Sequence, residues 1–349
     1  EPAYKDRAPV GVHERVRDLR LIHPDGRAWG RSEDAPRDPN RPWGHVYKHT
    51  QELFRPYEEQ GWTAKVQLGA MDEEGVDVAV LYPTLGLHVF SEYDLDPGLS
   101  GAIARAYNNW LYEFTQEDPK RLFGAAMINP FDIEEAVSET HRCVEELGFK
   151  AVFLRANVSS GHEWHDPYYE PLWSTLEELN IPLGFHESAA SAVRQIGDQF
   201  GGNFMLRHVY THAFEMMVAV GSMCGAGVLE RHPNLRVAFL EGNCSWLPFL
   251  LWRLDEHFEM FGDEWAPELT VPPAEIFKRQ CFVSVEPDEE PVSHVVEDFG
   301  ADNLVFSTDY PHVDTKFPHA VDRLLELSVG TGDLRKILWD NCARFYGMD

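Results

Sequence analysis

The chain has 349 residues, 58 acidic against 30 basic side chains for a formal charge of −28, and 44% hydrophobic content. That charge repels nucleic acid and anionic membrane surfaces at long range, while the apolar content is that of a globular protein able to bury a sizeable core. No stretch offers the ~18 uninterrupted apolar residues of a membrane span, and the opening EPAYKDRAPV is charged and proline-containing rather than signal-like, so a cytoplasmic protein is expected.

Five cysteines (Cys143, Cys224, Cys244, Cys281 and Cys342) are scattered with no C-x-x-C pair. Reduced thiols packed as small apolar residues are expected, not a disulfide frame or a thiolate zinc site. There is no initiator methionine, which suits a fragment or a processed product.

Residues 1–75 read as a loop-rich segment packed on the remainder of the chain, dense in breakers over RSEDAPRDPNRPWG and containing short helices. From residue 76 the texture becomes short apolar runs alternating with helical patterns. The runs are VDVAVLYP (76–83), LFGAAMINP (122–130), KAVFLR (150–155), IPLGFHE (181–187), LRVAFLEG (235–242), CFVSVE (281–286) and LVFSTD (304–309). Near-continuous apolar character suits parallel strands covered on both faces. Between them, 97–119, 132–148 and 166–180 carry apolar residues at three- and four-residue intervals, with Asp132 and Asp166 where N-caps belong; a longer helix is expected over about 204–231. The fold class is therefore α/β, a (β/α)8 TIM barrel over 76–349. Seven strands are visible where a closed barrel has eight, so the first is expected to be missing from this chain and to precede residue 1.

In such a barrel functional groups gather at the C-terminal strand tips. The runs end in His186 and Glu187, Glu241, Glu286 and Asp309, so four acids and one imidazole converge around one axis. Carboxylates so crowded raise one another's pKa unless a cation compensates, and a divalent metal is the economical partner. Without cysteine the donors favour zinc, manganese or iron. Duller readings stand beside this one: His186 as a satisfied core histidine, Glu187 turned outward by strand alternation, Glu241 in a turn, and Glu286 as a helix cap. Asp309, ending a strand before YPH, resists them most.

His208 and His212 are four residues apart and share a helix face; His212 could grip substrate. His312 could orient substrate, Arg155 could contact an oxyanion, and Trp246 and Phe185 could line an apolar pocket. G-x-S-x-G, G-x-G-x-x-G after a strand, and G-K-[ST] are all absent, which removes serine hydrolase, dinucleotide and NTPase motifs.

STDYPH with the terminal WDNCARFYG, IPLGFHE, and HPNLRVAFLEGNCSWLPFLLWRLDE together resemble the amidohydrolase-related branch of the metal-dependent amidohydrolase superfamily, over about residues 65–349. That branch includes aminocarboxymuconate-semialdehyde and resorcylate-type decarboxylases. The resemblance implies a metal held by His186 and Asp309 together with a histidine motif on the first strand, which this chain does not show. It also assigns acid–base chemistry to a histidine where this chain has Glu241, so Glu241 becomes either a base for metal-bound water or a ligand.

The expected protein is a metal-dependent hydrolase or a decarboxylase-like lyase acting on a small organic acid or acyl compound. Glu241 and Asp309 would be catalytic, and His186, Asp309 and Glu241 would hold the divalent ion. Two alternatives accompany it: a non-haem di-iron monooxygenase using His186, Glu187, Glu241 and Asp309, and an inactive barrel kept as a binding protein. A small-molecule substrate and a possible homodimer complete the expectations.

Overall fold

The structure, a computed structural model, describes residues 1–8, 10–13, 19–22, 45–93, 95–188, 193–312 and 314–348. The breaker-dense stretch 31–44 lies outside the described residues. An antiparallel ribbon of β1 (Val10–His13) and β2 (Leu19–Ile22) comes first. It is followed by α1 (His45–Glu59) and α2 (Ala64–Glu74). Seven βα units then run as β3 (Ala79–Leu81), α3 (Pro97–Thr115), β4 (Leu122–Met127), α4 (Ile133–Glu145), β5 (Ala151–Arg155), α5 (Glu170–Glu178), β6 (Leu183–His186), α6 (Phe204–Val220) and α7 (Val228–Arg231). The chain continues through β7 (Val237–Leu240), α8 (Leu247–Trp265), α9 (Pro273–Gln280), β8 (Cys281–Val285), α10 (Val292–Asp298) and β9 (Leu304–Phe306). Three short helices close it: α11 (Ala320–Leu325), α12 (Thr331–Arg335) and α13 (Asn341–Tyr346).

All seven apolar runs are strands, and they pair in parallel in chain order from β3 to β9. Side-chain alternation sorts them into two layers. Val152, Leu154, Leu183, Phe185, Val237 and Phe239 pack outward under the helices, while Ala125, Met127, Ala151 and Phe153 on one side and Ala238, Leu240, Phe282 and Val305 on the other turn inward. Tyr82 fills the inside against β6, where Gly184 leaves it room: a Cβ there would lie 2.5 Å from the Tyr82 hydroxyl. Among the described residues no pairing joins β3 to β9, so the curled, TIM-barrel-like sheet has a seam. A cavity of about 1190 Å³ runs along that seam, between β3, Tyr107 and Trp110 of α3, and Tyr346 of α13, and reaches the strand tips.

Local signals explain the helix boundaries. Asp132 caps α4 by accepting from the backbone N–H of Glu134 and Glu135. Asp166 accepts from Tyr168 N–H to start the short 3-10 turn ahead of α5. The helix expected over 204–231 is divided: α6 ends at Val220, a π turn spans Gly221–Gly225, and α7 follows. All five cysteines are free thiols.

α1 and α2 rest on the loop that follows the last strand. Phe54, fully buried, stacks on Phe317 at 5.6 Å and meets Tyr310 edge-on at 5.5 Å, while Tyr57 packs edge-on to Phe317 at 5.4 Å. Phe54→Ala is expected to cost about 3–4 kcal/mol, the usual price of truncating a buried phenylalanine; chemical denaturation of the variant measures it.

Behind the strand tips lies a buried polar network. Arg155 donates to Glu187 and, at 2.7 Å, to the Leu87 carbonyl; Glu187 also accepts from Asn157 N–H at 3.0 Å and Gln195 Nε2 at 3.1 Å. Glu215 on α6 accepts from Ile196 N–H at 2.8 Å. Burial, then the neighbouring charge of Glu187, pushes the Glu215 carboxyl up to about 7, against the pull of Ile196 N–H and Arg155. A carboxyl whose folded pKa exceeds its unfolded value destabilises the fold as it ionises. The cost is absent below the unfolded value of 4.5, grows as pH rises toward 7, and is constant above it. Glu215→Gln keeps the acceptor for Ile196, so it is expected to stabilise the protein by about 2–3 kcal/mol near pH 8, with the gain vanishing near pH 4.5. Urea denaturation at the two pH values reads the difference.

Candidate functional site

Register sets the site. Arg155 lies opposite His186, His186 opposite Leu240, and Val285 opposite Phe306, so the parallel strands end nearly level. The residues just past those ends (Glu241 after β7, Glu286 after β8 and Asp309 beyond β9) therefore stand on one rim with His186. Glu241 and Asp309 both have left-handed backbones, with φ of 58° and 51°. Such conformations are uncommon outside glycine and are held here by local bonds. Glu241 N–H donates to Ser284 Oγ at 2.8 Å, and Asp309 N–H donates to Ser307 Oγ at 3.3 Å.

Glu241 is the hub. Its carboxylate contacts His186 Nε2 and lies 3.7 Å from His212 Nδ1 and 3.8 Å from His312 Nδ1. His312 Nδ1 is 2.6 Å from Asp309 Oδ1, and one ligand atom each from Glu241, Asp309 and His312 fall within 4.8 Å of one another. His212 reaches Glu241 because α6 approaches the β7 tip closely. A Cβ on Gly242 would sit 2.7 Å from Met216 and 3.0 Å from the His212 carbonyl. His208 stacks on His212 at 4.0 Å and lies 3.4 Å from Asp314 Oδ2. Tyr82 forms the floor, its ring 6.5 Å from that of His186 and its hydroxyl 3.3 Å from that of Tyr346.

Electrostatics follow from this crowding. Burial opposes charge on Glu241, yet His186, His312 and His212 outweigh it and hold its carboxyl well below the usual range. Burial likewise opposes charge on His312, but Asp309 and Glu241 hold the imidazole well above its usual value. Asp309 is pushed up to about 7 by burial, with Glu241 adding to that and His312 resisting it. Burial, then Asp309 and Glu241, drives Glu286 well above the carboxylate range. His212 falls to about 4 through burial and the adjacent His208, so it is neutral near pH 7. Its Nδ1 lies 3.0 Å from the Glu241 carbonyl, which can only accept, so the proton is on Nδ1 and the lone pair on Nε2.

The structure brings His186, His212, Glu241, Asp309 and His312 together, while Arg155 and Trp246 are bonded to other groups. The oxyanion contact expected of Arg155 meets a guanidinium whose donors are committed to Glu187, Leu87 and Asn157. Glu187, placed by the oxygenase alternative among the site carboxylates, is the buried partner of Arg155 instead. Trp246 donates its indole N–H to the Gly242 carbonyl at 2.7 Å and packs in the outer core, as does Phe185, stacked on Phe239 at 5.9 Å. For Phe185 and Glu187 strand alternation is the reason: each neighbours His186 in sequence and so points to the opposite face. Two neighbours escaped the sequence reading. Tyr82 ends the VDVAVLYP run and was findable by the same rule of reading strand tips; Asp314, in the loop after Asp309, carries no periodic signal.

The amidohydrolase family matches residues 42–348. A 2-amino-3-carboxymuconate-6-semialdehyde decarboxylase from Dictyostelium discoideum is 26% identical, over 85% of this chain and 80% of its own length. A gamma-resorcylate decarboxylase from Polaromonas sp. is also 26% identical, over 80% of this chain and 86% of that one. Among solved structures, an amidohydrolase from Mycobacterium avium subsp. paratuberculosis superposes with a TM-score of 0.78 at 20% identity, covering 100% of this chain and 93% of the other. A dihydroxybenzoic acid decarboxylase from Polaromonas sp., solved with bound manganese and the inhibitor 2-nitroresorcinol, gives 0.67 at 23% identity, covering 81% and 85%. The structural likeness carries the fold, and the sequence match across most of the chain carries the kinship: the protein belongs to the amidohydrolase family of enzymes.

Proposed function

We propose that the protein is a metal-dependent carbon–carbon lyase that removes carbon dioxide from a small aromatic acid. The observation that carries this reading is the cluster of Glu241, Asp309 and His312, with His186 against Glu241, at the tips of an amidohydrolase-family sheet. The relatives named above are decarboxylases, which moves the reading from hydrolysis toward carbon–carbon cleavage.

The donors fit a divalent ion. His186 Nδ1 is buried without a hydrogen-bond partner, and carboxylate with imidazole suits manganese, zinc or iron. His186, Glu241 and Asp309 would hold the ion, which when bound supplies Lewis acidity toward substrate oxygens. The protein's own part is to keep one proton at hand. Glu241 is ionised and His312 charged, 3.8 Å apart, so a proton can pass between them with no change in net charge. As the bond from ring to carboxyl breaks and carbon dioxide leaves, the ring carbon takes that proton. His212 and His312 border the substrate and hold its orientation. Glu241 thus acts where the resemblance assigns a histidine.

The reading includes an eighth parallel strand in the seam, carrying the histidine motif that the resemblance assigns to a first strand. Its support is the pair of facing edges, β3 and β9, with the cavity between them. Residues 1–75 then form a segment packed on a barrel of 76–349, a division supported by the Phe54 and Tyr57 contacts. Free thiols suit a cytoplasmic setting, and among the described residues no helix is long and apolar enough to cross a membrane.

One observation favours a second reading, a di-iron monooxygenase. Glu286 and Asp314 join Glu241 and Asp309 around the rim, more carboxylate than a single ion needs. Metal analysis combined with turnover separates the two. The lyase reading expects one divalent ion per chain and manganese-dependent carbon dioxide release from a hydroxybenzoate such as 2,6-dihydroxybenzoate. Two irons with oxygen-dependent turnover establish the second reading in its place; neither metal nor turnover leaves the inactive binding barrel. Asp309→Asn is expected to weaken Mn²⁺ binding, followed by calorimetry, by at least about 100-fold, beyond the loss caused by an outlying partner. Glu241→Gln is expected to lower kcat by about 10²–10⁴-fold, the range for a lost acid–base group.

A further inference from the structure

Arg155 takes no part in the chemistry described so far, yet it ends β5 as the in-register neighbour of His186 at the end of β6. It is 3% exposed, and its guanidinium reaches in three directions. Nη1 donates to the Leu87 carbonyl at 2.7 Å, Nε to Asn157 Oδ1 at 3.3 Å, and Nη2 to Glu187. Glu187, fully buried and next in sequence to His186, accepts four donors. These are Arg155, the N–H of Asn157 at 3.0 Å, the N–H of Ser188 at 2.9 Å and Gln195 Nε2 at 3.1 Å. Gln195 Nε2 closes the set by donating to the Ser188 carbonyl at 2.7 Å. Leu87 follows β3, Asn157 follows β5, and Ser188 and Gln195 follow β6, so one ion pair joins three of the loops at the rim.

A buried ion pair adds little net stability, because drying two charges offsets most of their attraction; what it imposes is a single arrangement. That arrangement bears on His186. An imidazole that holds a metal is usually aimed by a hydrogen bond from its outer nitrogen to a carbonyl or carboxylate. Among the described residues His186 has no such bond: Nδ1 is buried without a partner, and Nε2 faces Glu241, itself part of the site. The rings of Tyr82 and Phe153, with centroids 6.5 and 6.4 Å away, confine the imidazole sideways. Its direction along the rim then comes from the main chain on which it is mounted. Glu187 clamps that main chain to its own successor, Ser188, and to Asn157 beyond the adjoining strand.

We propose that Arg155 is a positioning residue: through Glu187 it fixes the direction of the His186 imidazole and so sets the affinity for the divalent ion. This rests on the metal site proposed above and adds to it a residue that acts through another. Lysine cannot stand in for Arg155, since a single ammonium lacks the rigid fork that reaches three loops at once. Glutamine cannot stand in for Glu187, because the four donors are shared between two acceptor oxygens and an amide offers one.

Calorimetric titration of the full chain with Mn²⁺ tests this on wild type, Arg155→Lys and Glu187→Gln. Each variant is expected to bind about 10–100-fold more weakly, the range for losing a group that orients a metal ligand. Hydrogen exchange in the metal-free variants is expected to be faster at the amides of Asn157 and Ser188. Arg142→Lys is the stability control: Arg142 donates to the buried Glu139 at 2.8 and 2.7 Å within α4, and this variant is expected to keep wild-type affinity. If Arg155→Lys fails to fold, Glu187→Gln decides alone. Wild-type affinity in the folded variants overturns the positioning role and leaves the metal site standing. So does an equal loss in Arg142→Lys, which marks a general effect of lowered stability. A wild-type protein that takes up no Mn²⁺ removes the metal site and the positioning role together.

Discussion

Four carboxylates stand at one rim of a parallel sheet, and the repulsion among them is the constraint the site is built around. Glu241 and Asp314 help to push up the carboxyls of Glu286 and Asp309, and Asp309 also raises Glu286. In water such repulsion is small, but in a partly buried rim the effective dielectric is low and like charges cannot all ionise without compensation. The structure supplies part of that compensation as imidazole. His186 and His312 flank Glu241 and keep it ionised, and His312 is kept charged in return. Such crowding of carboxylates favours a bound cation and keeps an exchangeable proton near neutral pH.

Holding the acids there demands unusual backbone. A strand that continued past Leu240 or Phe306 in extended form would alternate its side chains between barrel interior and helix layer. The left-handed residues at Glu241 and Asp309 break that alternation at the tip and turn both chains around the rim. Their cost, of order 1–3 kcal/mol each, is offset by the serine hydroxyls of Ser284 and Ser307 and by the turn in which His312 N–H donates to the Asp309 carbonyl at 2.8 Å. The aromatic cluster of Phe54, Tyr57, Tyr310 and Phe317 then clamps the loop directly after Asp309. Packing by helices preceding the sheet thus bears on the geometry of a carboxylate on its last strand.

Much of this was legible in the sequence because parallel strands buried on both faces leave apolar runs that end abruptly at the rim. All seven runs form strands, and reading their last residues located His186, Glu241, Glu286 and Asp309 on one edge. The i, i+4 spacing of His208 and His212 likewise survives as a ring stack. What escaped depends on which of two successive tip residues faces inward. His186 and Glu187 look equivalent in sequence, yet one meets Glu241 and the other meets Arg155. Trp246 is similar: its position after β7 is evident, but its direction is set by an indole bond to the Gly242 carbonyl. Asp314 joins the site only through the path of a loop, which no periodicity encodes.

α6 links the rim to the outside of the molecule. Its inward side supplies His212 to Glu241 and Glu215 to Ile196 N–H, and these polar groups share the buried face with Met216, Ala219 and Val220. Leu206, Val209, Ala213, Phe214 and Met217 are then left with the outward side. Buried polar groups cost free energy unless they are fully bonded. The helix consequently gains less from its inner face than an apolar stripe would give, while its outer face keeps apolar surface in contact with water.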